Sequence, residues 1–171
     1  SLMTFYEVTT LFHEFGHGLH QLLGRVDYPS ISGTSVLWDF VELPSQIMEN
    51  WLGEAETLAL FAQHYETGEA LPQKYIDAIR ESRNFMAGWF YMRQMSLGAL
   101  DMGWHTTAPD RIEDVIAQER AFIDAYTLLP YEGGCTSTSF GHIFSGGYSA
   151  GYYSYAWAEV LDADAYEAFV E

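Results

Sequence analysis

An otherwise apolar helical pattern near the start of the chain is interrupted by His13, Glu14 and His17, and this restricts how its first helix can be used. Val8, Leu11, Phe12, Phe15, Leu19, Leu22 and Leu23 recur at helical spacing, with Gly24 as the stop. On such a helix His13 and His17 sit about 40° apart around the axis and about one turn apart along it. Both imidazoles can then reach one tetrahedral zinc, leaving positions for a third ligand and a water. Glu14 lies about 60° around the helix from His17, able to touch that water without binding the metal. The pattern H-E-x-x-H is the geometry of zinc-dependent peptide hydrolysis, in which metal and carboxylate together activate water. Five residues also match by chance, so the fold must bring a third ligand to this face.

Two sources for that ligand are separable. In the pattern H-E-x-x-H-x-x-G-x-x-H, a glycine would stand at position 20 and a histidine at position 23. The chain has His20 and Leu23, which excludes that arrangement. His20 shares the face of His13 and His17. It lies about 10 Å from His13 along the axis, too far for three ligands in a row on one ion, so a polar or packing role is expected for it. The second source is the segment Trp38–Trp51, where Glu42, Gln46 and Glu49 share one helical face and Val41, Met48 and Trp51 offer apolar contact elsewhere. Unpaired buried carboxylates are costly. Zinc would account for Glu42, and Glu49 is placed to accept a ring N–H from a ligating histidine. The alternative is that both are solvated charges.

A second chemical signal lies at 140–157. Helix starting near Gly147 or Tyr148 would put Tyr148, Tyr152 and Tyr155 on one face, with Tyr153 pointing elsewhere. Phenols and His142 facing a metal-bound carbonyl could donate to a developing oxyanion. Gly146 and Gly147 would let backbone approach an extended peptide and allow the loop to move on binding. An aromatic stripe alone reads more readily as core; the Gly-His-x-x-x-Gly-Gly context favours a site.

The remaining pattern is mainly α. A second long helix is expected from Asp39 to about Thr67 with Pro44 in its first turn, closed by Gly68. A third should run from Pro72 to about Asp101 and a fourth from about Arg111 to Tyr126. Residues 25–37 and 127–147 read as irregular. The length of 171 residues suits one domain, residues 1–171. A formal net charge of −17, with no Lys or Arg after Arg120, argues against nucleic-acid and anionic-membrane partners. Cys135 is the only cysteine, so no intrachain disulfide or cysteine-rich metal site can form. There is no apolar run of about 20 residues and no visible signal peptide. A cytoplasmic location is expected. The chain opens almost directly on a helix, as an excised fragment would.

H-E-F-G-H-G-L-H followed by F-V-E-L-P-S-Q-I-M-E-N-W resembles the thimet oligopeptidase family of zinc metallopeptidases, over essentially all 171 residues. The resemblance implies a zincin-type helical catalytic core of a neurolysin-like fold. It implies one zinc per chain, held by His13, His17 and Glu42, with Glu14 as general base. It also implies that His142 and Tyr148 contact substrate and that Tyr155 stabilises the tetrahedral intermediate, and it aligns Tyr152 with a further family tyrosine. The six-residue step from His142 to Tyr148 is more similar to the peptidyl-dipeptidase branch than to the thimet oligopeptidase branch. Family members are considerably longer, and the match is to their C-terminal catalytic portion. The absent N-terminal half would form the opposite wall of a channel that admits short peptides.

Together these features predict a zinc metallopeptidase of short peptides that releases C-terminal dipeptides. An internal-cutting oligopeptidase and a non-catalytic metal- or peptide-binding fragment are the alternatives.

Overall fold

A computed structural model describes residues 2–129 and 134–171. Residues 130–133, part of the segment expected to be irregular, lie outside the described residues. Apart from an isolated antiparallel bridge between Gln63 and Ala70, the described residues form helices, turns and loops. They fall into two compact units, residues 1–85 with 157–171, and residues 86–156.

In the first unit α1 (Phe5–Leu23) begins with a capping box: the Thr4 side chain accepts from Glu7 N, and a Glu7 carboxylate oxygen accepts from Thr4 N at 2.7 Å. Two otherwise orphaned donors are satisfied reciprocally. Val8 and Phe12 turn inward onto a core of Leu52, Leu58 and Ile76. Leu11, Phe15, Leu22 and Leu23, predicted from the same periodicity, are exposed instead. Gly16 is buried, and a Cβ placed there would stand 2.2 Å from the Pro44 carbonyl oxygen and 2.6 Å from Ser45 Cα. The missing side chain is therefore what lets the next helical segment lie against α1.

The long helix expected over 39–67 is divided into α2 (Trp38–Val41), α3 (Leu43–Asn50), a 3-10 turn Trp51–Gly53 and α4 (Ala55–Phe61). Pro44 stands in the first turn of α3, where its missing N–H costs nothing. The C-terminal carbonyls of α3 find a substitute for continued helix: Arg83 Nη2 donates to Glu49 O and Asn50 O, a guanidinium at the negative end of the helix. Arg80 donates to Gly53 O. α5 (Gln73–Ser82) follows Pro72, and the expected continuation to Asp101 is broken at Met86, whose φ of 55° is left-handed. The end of α9 (Ser154–Val170) completes this unit, with Tyr166 and Phe169 edge-on to Trp51 at 5.0 and 5.1 Å.

Asp162 on α9 is 7% exposed and accepts from Asn50 Nδ2 at 2.9 Å. Burial, with smaller contributions from Glu159 and Glu49, lifts its pKa from 3.8 to about 6. A carboxyl whose folded pKa is raised holds more protons folded than unfolded across that interval, so stability falls as pH rises from about 4 to about 6. The loss is on the order of 3 kcal/mol, nearly complete by about pH 7. Asp162→Asn keeps the oxygen that Asn50 needs. The variant should therefore exceed the parent in urea midpoint clearly at pH 7.5 and hardly at pH 4; an equal gain at both would mean that ionisation is not the cause.

In the second unit α6 (Ala87–Thr106), α7 (Val115–Ile123) and α8 (Gly141–Phe144) surround Leu97, Leu100, Ile123, Phe140, Ile143 and Tyr152. α7 starts at Val115, later than expected. Asp114 is its N-cap, accepting from the backbone N–H groups of Ile116 and Ala117, and Pro109–Arg111 forms a separate 3-10 turn. α9 begins at Ser154, not near Tyr148 as the spacing suggested. Residues 149–153 form turns, with Ala150 at φ 55° and Gly147, just before them, at φ 88°. Two buried carboxylates hold the unit's loops. Asp101 accepts from Ala150 N and Tyr152 N, both at 2.8 Å. Glu119 accepts from Thr136 N, Ser137 N and the Cys135 thiol. Burial alone would raise the Glu119 pKa, but these donors hold it below the usual value.

Candidate metal centre

The first unit brings together three of the predicted residues. His13 and His17 project from α1 with their rings edge-on, centroids 5.0 Å apart. Glu42 occupies the junction where α2 ends and α3 begins. Its Oε2 lies 3.2 Å from His13 Nε2 and 3.3 Å from His17 Nε2, and it is 1% exposed. Among the described residues these three form a group able to hold a metal ion, with one donor atom from each within 4.8 Å of the others. Glu49, about two turns further along α3, sits 2.7 Å from His13 Nδ1.

These contacts decide the protonation logic. A carboxylate can only accept, so the hydrogen bond to Glu49 puts a proton on His13 Nδ1. In the neutral ring Nε2 then points a lone pair at Glu42 Oε2 across 3.2 Å. Two facing acceptors repel unless a cation separates them, either a second proton or a metal. Burial alone would lower the His13 pKa, but the hydrogen bonds and charges of Glu42 and Glu49 prevail and raise it to about 9. Two imidazole nitrogens and one buried carboxylate oxygen form a donor set suited to a borderline-soft divalent ion. The residues present fit such an ion.

Glu14 is exposed on α1, directly after His13 and outside the metal-holding group. His20 is also outside it. Its ring packs against Phe40 at 6.0 Å, and burial followed by the nearby His17 lowers its pKa, in line with the packing role expected.

The second unit assembles the other predicted side chains by a route different from the one anticipated. Tyr148 and Tyr152 precede α9 and do not share a helix face with Tyr155. Their rings nevertheless meet: Tyr148 stacks on Tyr155 at 5.2 Å, Tyr152 lies 5.1 Å from Tyr155, and His142 stands 5.8–6.2 Å from all three. The turn after α8 makes this possible. Tyr148 N donates to His142 O at 3.0 Å, and a Cβ at Gly146 would come within 2.9 Å of His142 Cα. Gly147, at φ 88°, adopts the left-handed region that favours glycine. Tyr152 is the most buried of the three and packs edge-on against Phe140, and burial raises its pKa.

Three residues at these sites escaped the sequence reading. Gly16 is one, visible only as a small residue between two histidines. Ser45 is another: it is fully buried, its Oγ 2.8 Å from both the carbonyl oxygen and Oε2 of Glu42. Its signal was the Glu-x-Pro-Ser spacing at a helix start. Asp101 is the third, an acid among the apolar residues of α6, also paired with His105 Nδ1 at 2.8 Å.

Residues 1–171 match peptidase family M3. The chain is 46% identical over 176 residues to oligopeptidase A of Haemophilus influenzae, with 100% of this chain and 26% of that protein covered. It is 45% identical over 172 residues to a probable cytosolic oligopeptidase A of Arabidopsis thaliana, covering 99% of this chain and 24% of the relative. It is 41% identical over 174 residues to dipeptidyl carboxypeptidase of Escherichia coli, covering 100% and 26%. The chain thus spans about a quarter of the length of these relatives. Among the described residues no helix is long and apolar enough to cross a membrane.

Proposed function

This chain belongs to peptidase family M3, and on that footing we propose that residues 1–171 are the catalytic domain of a zinc metallopeptidase that hydrolyses short peptides. The observation that carries the reading is the convergence of His13, His17 and Glu42 on one point, with His13 held from behind by Glu49. A zinc ion held there would polarise a peptide carbonyl and make a water acidic at neutral pH. Glu14 is the base: it takes the proton from the attacking water and returns it to the leaving amine. Glu49 fixes the His13 ring and its tautomer. His142 and Tyr155 donate to the oxygen that becomes negative in the transition state. Tyr148, Tyr152, Gly146 and Gly147 border the bound peptide. The packing of the His142, Tyr148 and Tyr155 rings against one another supports treating them as one group.

Release of C-terminal dipeptides is favoured by the six-residue step from His142 to Tyr148 and by the similarity to a dipeptidyl carboxypeptidase. Internal cutting is favoured by the higher identity to proteins named oligopeptidase A. The remaining length found in the relatives would supply the channel's other wall, and exposed Leu11, Phe15 and Leu22 on α1 offer apolar surface for it. The similarity to a protein named cytosolic and the single cysteine support a cytoplasmic location.

Metal analysis combined with peptide cleavage, on this chain and on a full-length protein containing it, tests the reading. One equivalent of zinc and metal-dependent hydrolysis are expected. Product masses from peptides with free and amidated C-termini then separate the two modes, because dipeptide release should require the free carboxylate. Zinc bound without cleavage of any short peptide by either protein would overturn the enzymatic reading.

A further inference from the structure

We propose that Ser45 is a positioning residue for the metal centre. Its hydroxyl, set between the carbonyl and the carboxylate of Glu42, holds the rotamer that turns Oε2 toward both imidazoles and so sets the affinity for zinc. The proposal rests on the zinc reading above and goes one residue beyond it.

Glu42 reaches the centre from a junction between helices, where no regular side-chain lattice fixes a flexible carboxylate. Oε2, the oxygen 3.2 and 3.3 Å from the two histidine nitrogens, is also the oxygen that Ser45 Oγ meets at 2.8 Å. A carboxylate oxygen has two lone-pair directions. With the hydroxyl on one, the other can face the two imidazole nitrogens, where a metal would be held. Ser45 is itself 0% exposed and cannot swing into water. It is held there because Gly16, between the two histidines, has no Cβ: one would stand 2.6 Å from Ser45 Cα. The residue that lets the helices touch thus also lies directly against the serine.

A competing explanation is available in the same geometry. Ser45 Oγ also lies 2.8 Å from Glu42 O, an ordinary back-bond to the carbonyl three residues earlier. If that were its whole role, removing the hydroxyl would affect the start of α3 and leave metal affinity alone.

Zinc affinity, measured by competition with a chromophoric chelator, separates the two. The test compares Ser45→Ala, Ser45→Cys and Glu42→Ala with the unsubstituted protein, alongside the circular dichroism and thermal midpoint of each metal-free form. Ser45→Ala should bind zinc at least about tenfold more weakly, the usual effect of losing a residue that orients a ligand. Its metal-free midpoint should change little, and its cobalt derivative should show altered d–d absorption. Ser45→Cys, with a weaker donor of similar size, should fall between. Folded Ser45→Ala with affinity within about twofold of the parent overturns the proposal. If Ser45→Ala loses its helical signal, Ser45→Cys decides by the same criterion. Unchanged affinity in Glu42→Ala would instead reject the metal centre itself, so the two failures are distinguishable.

Discussion

Glu14→Gln should leave the zinc content of the protein at its parental value and lower kcat by about 10²–10⁴-fold, the contribution typical of a positioned general base. Glu14 is exposed on α1 and is not among the residues whose donor atoms converge on the metal position. Converting its carboxylate to an amide removes proton affinity without disturbing the ligands. KM should change far less than kcat, because proton transfer occurs only on the way to the transition state. The measurement is turnover of an internally quenched peptide with the remainder of the polypeptide present, together with metal analysis of the same sample. Turnover within a few-fold of the parent would remove Glu14 from the mechanism. Loss of zinc along with activity would instead make it a ligand or a support for one.

Gly16→Ala carries the second large effect, and its sign is not obvious beforehand. In the interior of an exposed helix, glycine to alanine gains up to about 1 kcal/mol from backbone entropy. At Gly16 the added methyl would stand 2.2 Å from the carbonyl oxygen of Pro44 and 2.9 Å from its carbonyl carbon. Both are backbone atoms, with no side-chain rotation available to relieve the contact. Overpacking of this kind costs roughly 1–3 kcal/mol and occasionally more, so the clash outweighs the entropy gain and net destabilisation follows. The metal centre should suffer more than the fold. Glu42 is two residues before Pro44, and metal–ligand distances tolerate deviations of only about 0.2 Å. Any parting of α1 and α3 draws Oε2 away from His13 and His17. The expected result is a lower urea midpoint for the metal-free protein and zinc affinity reduced by at least about tenfold. Unchanged affinity would show that Glu42 is placed by something other than this helix contact.

The grouping of His13, His17 and Glu42 was legible in the sequence because its signal is local. Helical phase alone puts His13 and His17 on one face, and the polar stripe of Glu42 and Glu49 in an apolar segment needs a partner. The helix boundaries were less legible for a specific reason. The segment 39–67 keeps a helix-like pattern through Trp51–Gly53, and the donors that allow the break there, Arg80 and Arg83, stand some thirty residues further on. The tyrosine cluster was anticipated for the wrong reason. Spacing of i, i+4 and i+7 suggested a helix face. The structure instead gathers the rings through a turn anchored by Asp101, whose hydrogen bonds to Ala150 and Tyr152 span about fifty positions and leave no periodic trace. Ser45 and Gly16 matter only through the approach of two backbones, which no pattern of side-chain types records.

That approach has a consequence for the thirteen or so residues that connect Gly24 to Trp38. Because α1 and α3 find each other by direct backbone contact, the connecting segment serves as a tether and does not measure out the distance between ligands. Doubling the length of a flexible loop costs only about 0.6 kcal/mol in closure entropy. Insertions at its exposed positions, such as 28–31, should therefore be absorbed with the centre intact. The register of Glu42 against His13 and His17 is set where α1 and α3 touch at Gly16, and the length of the tether does not enter it.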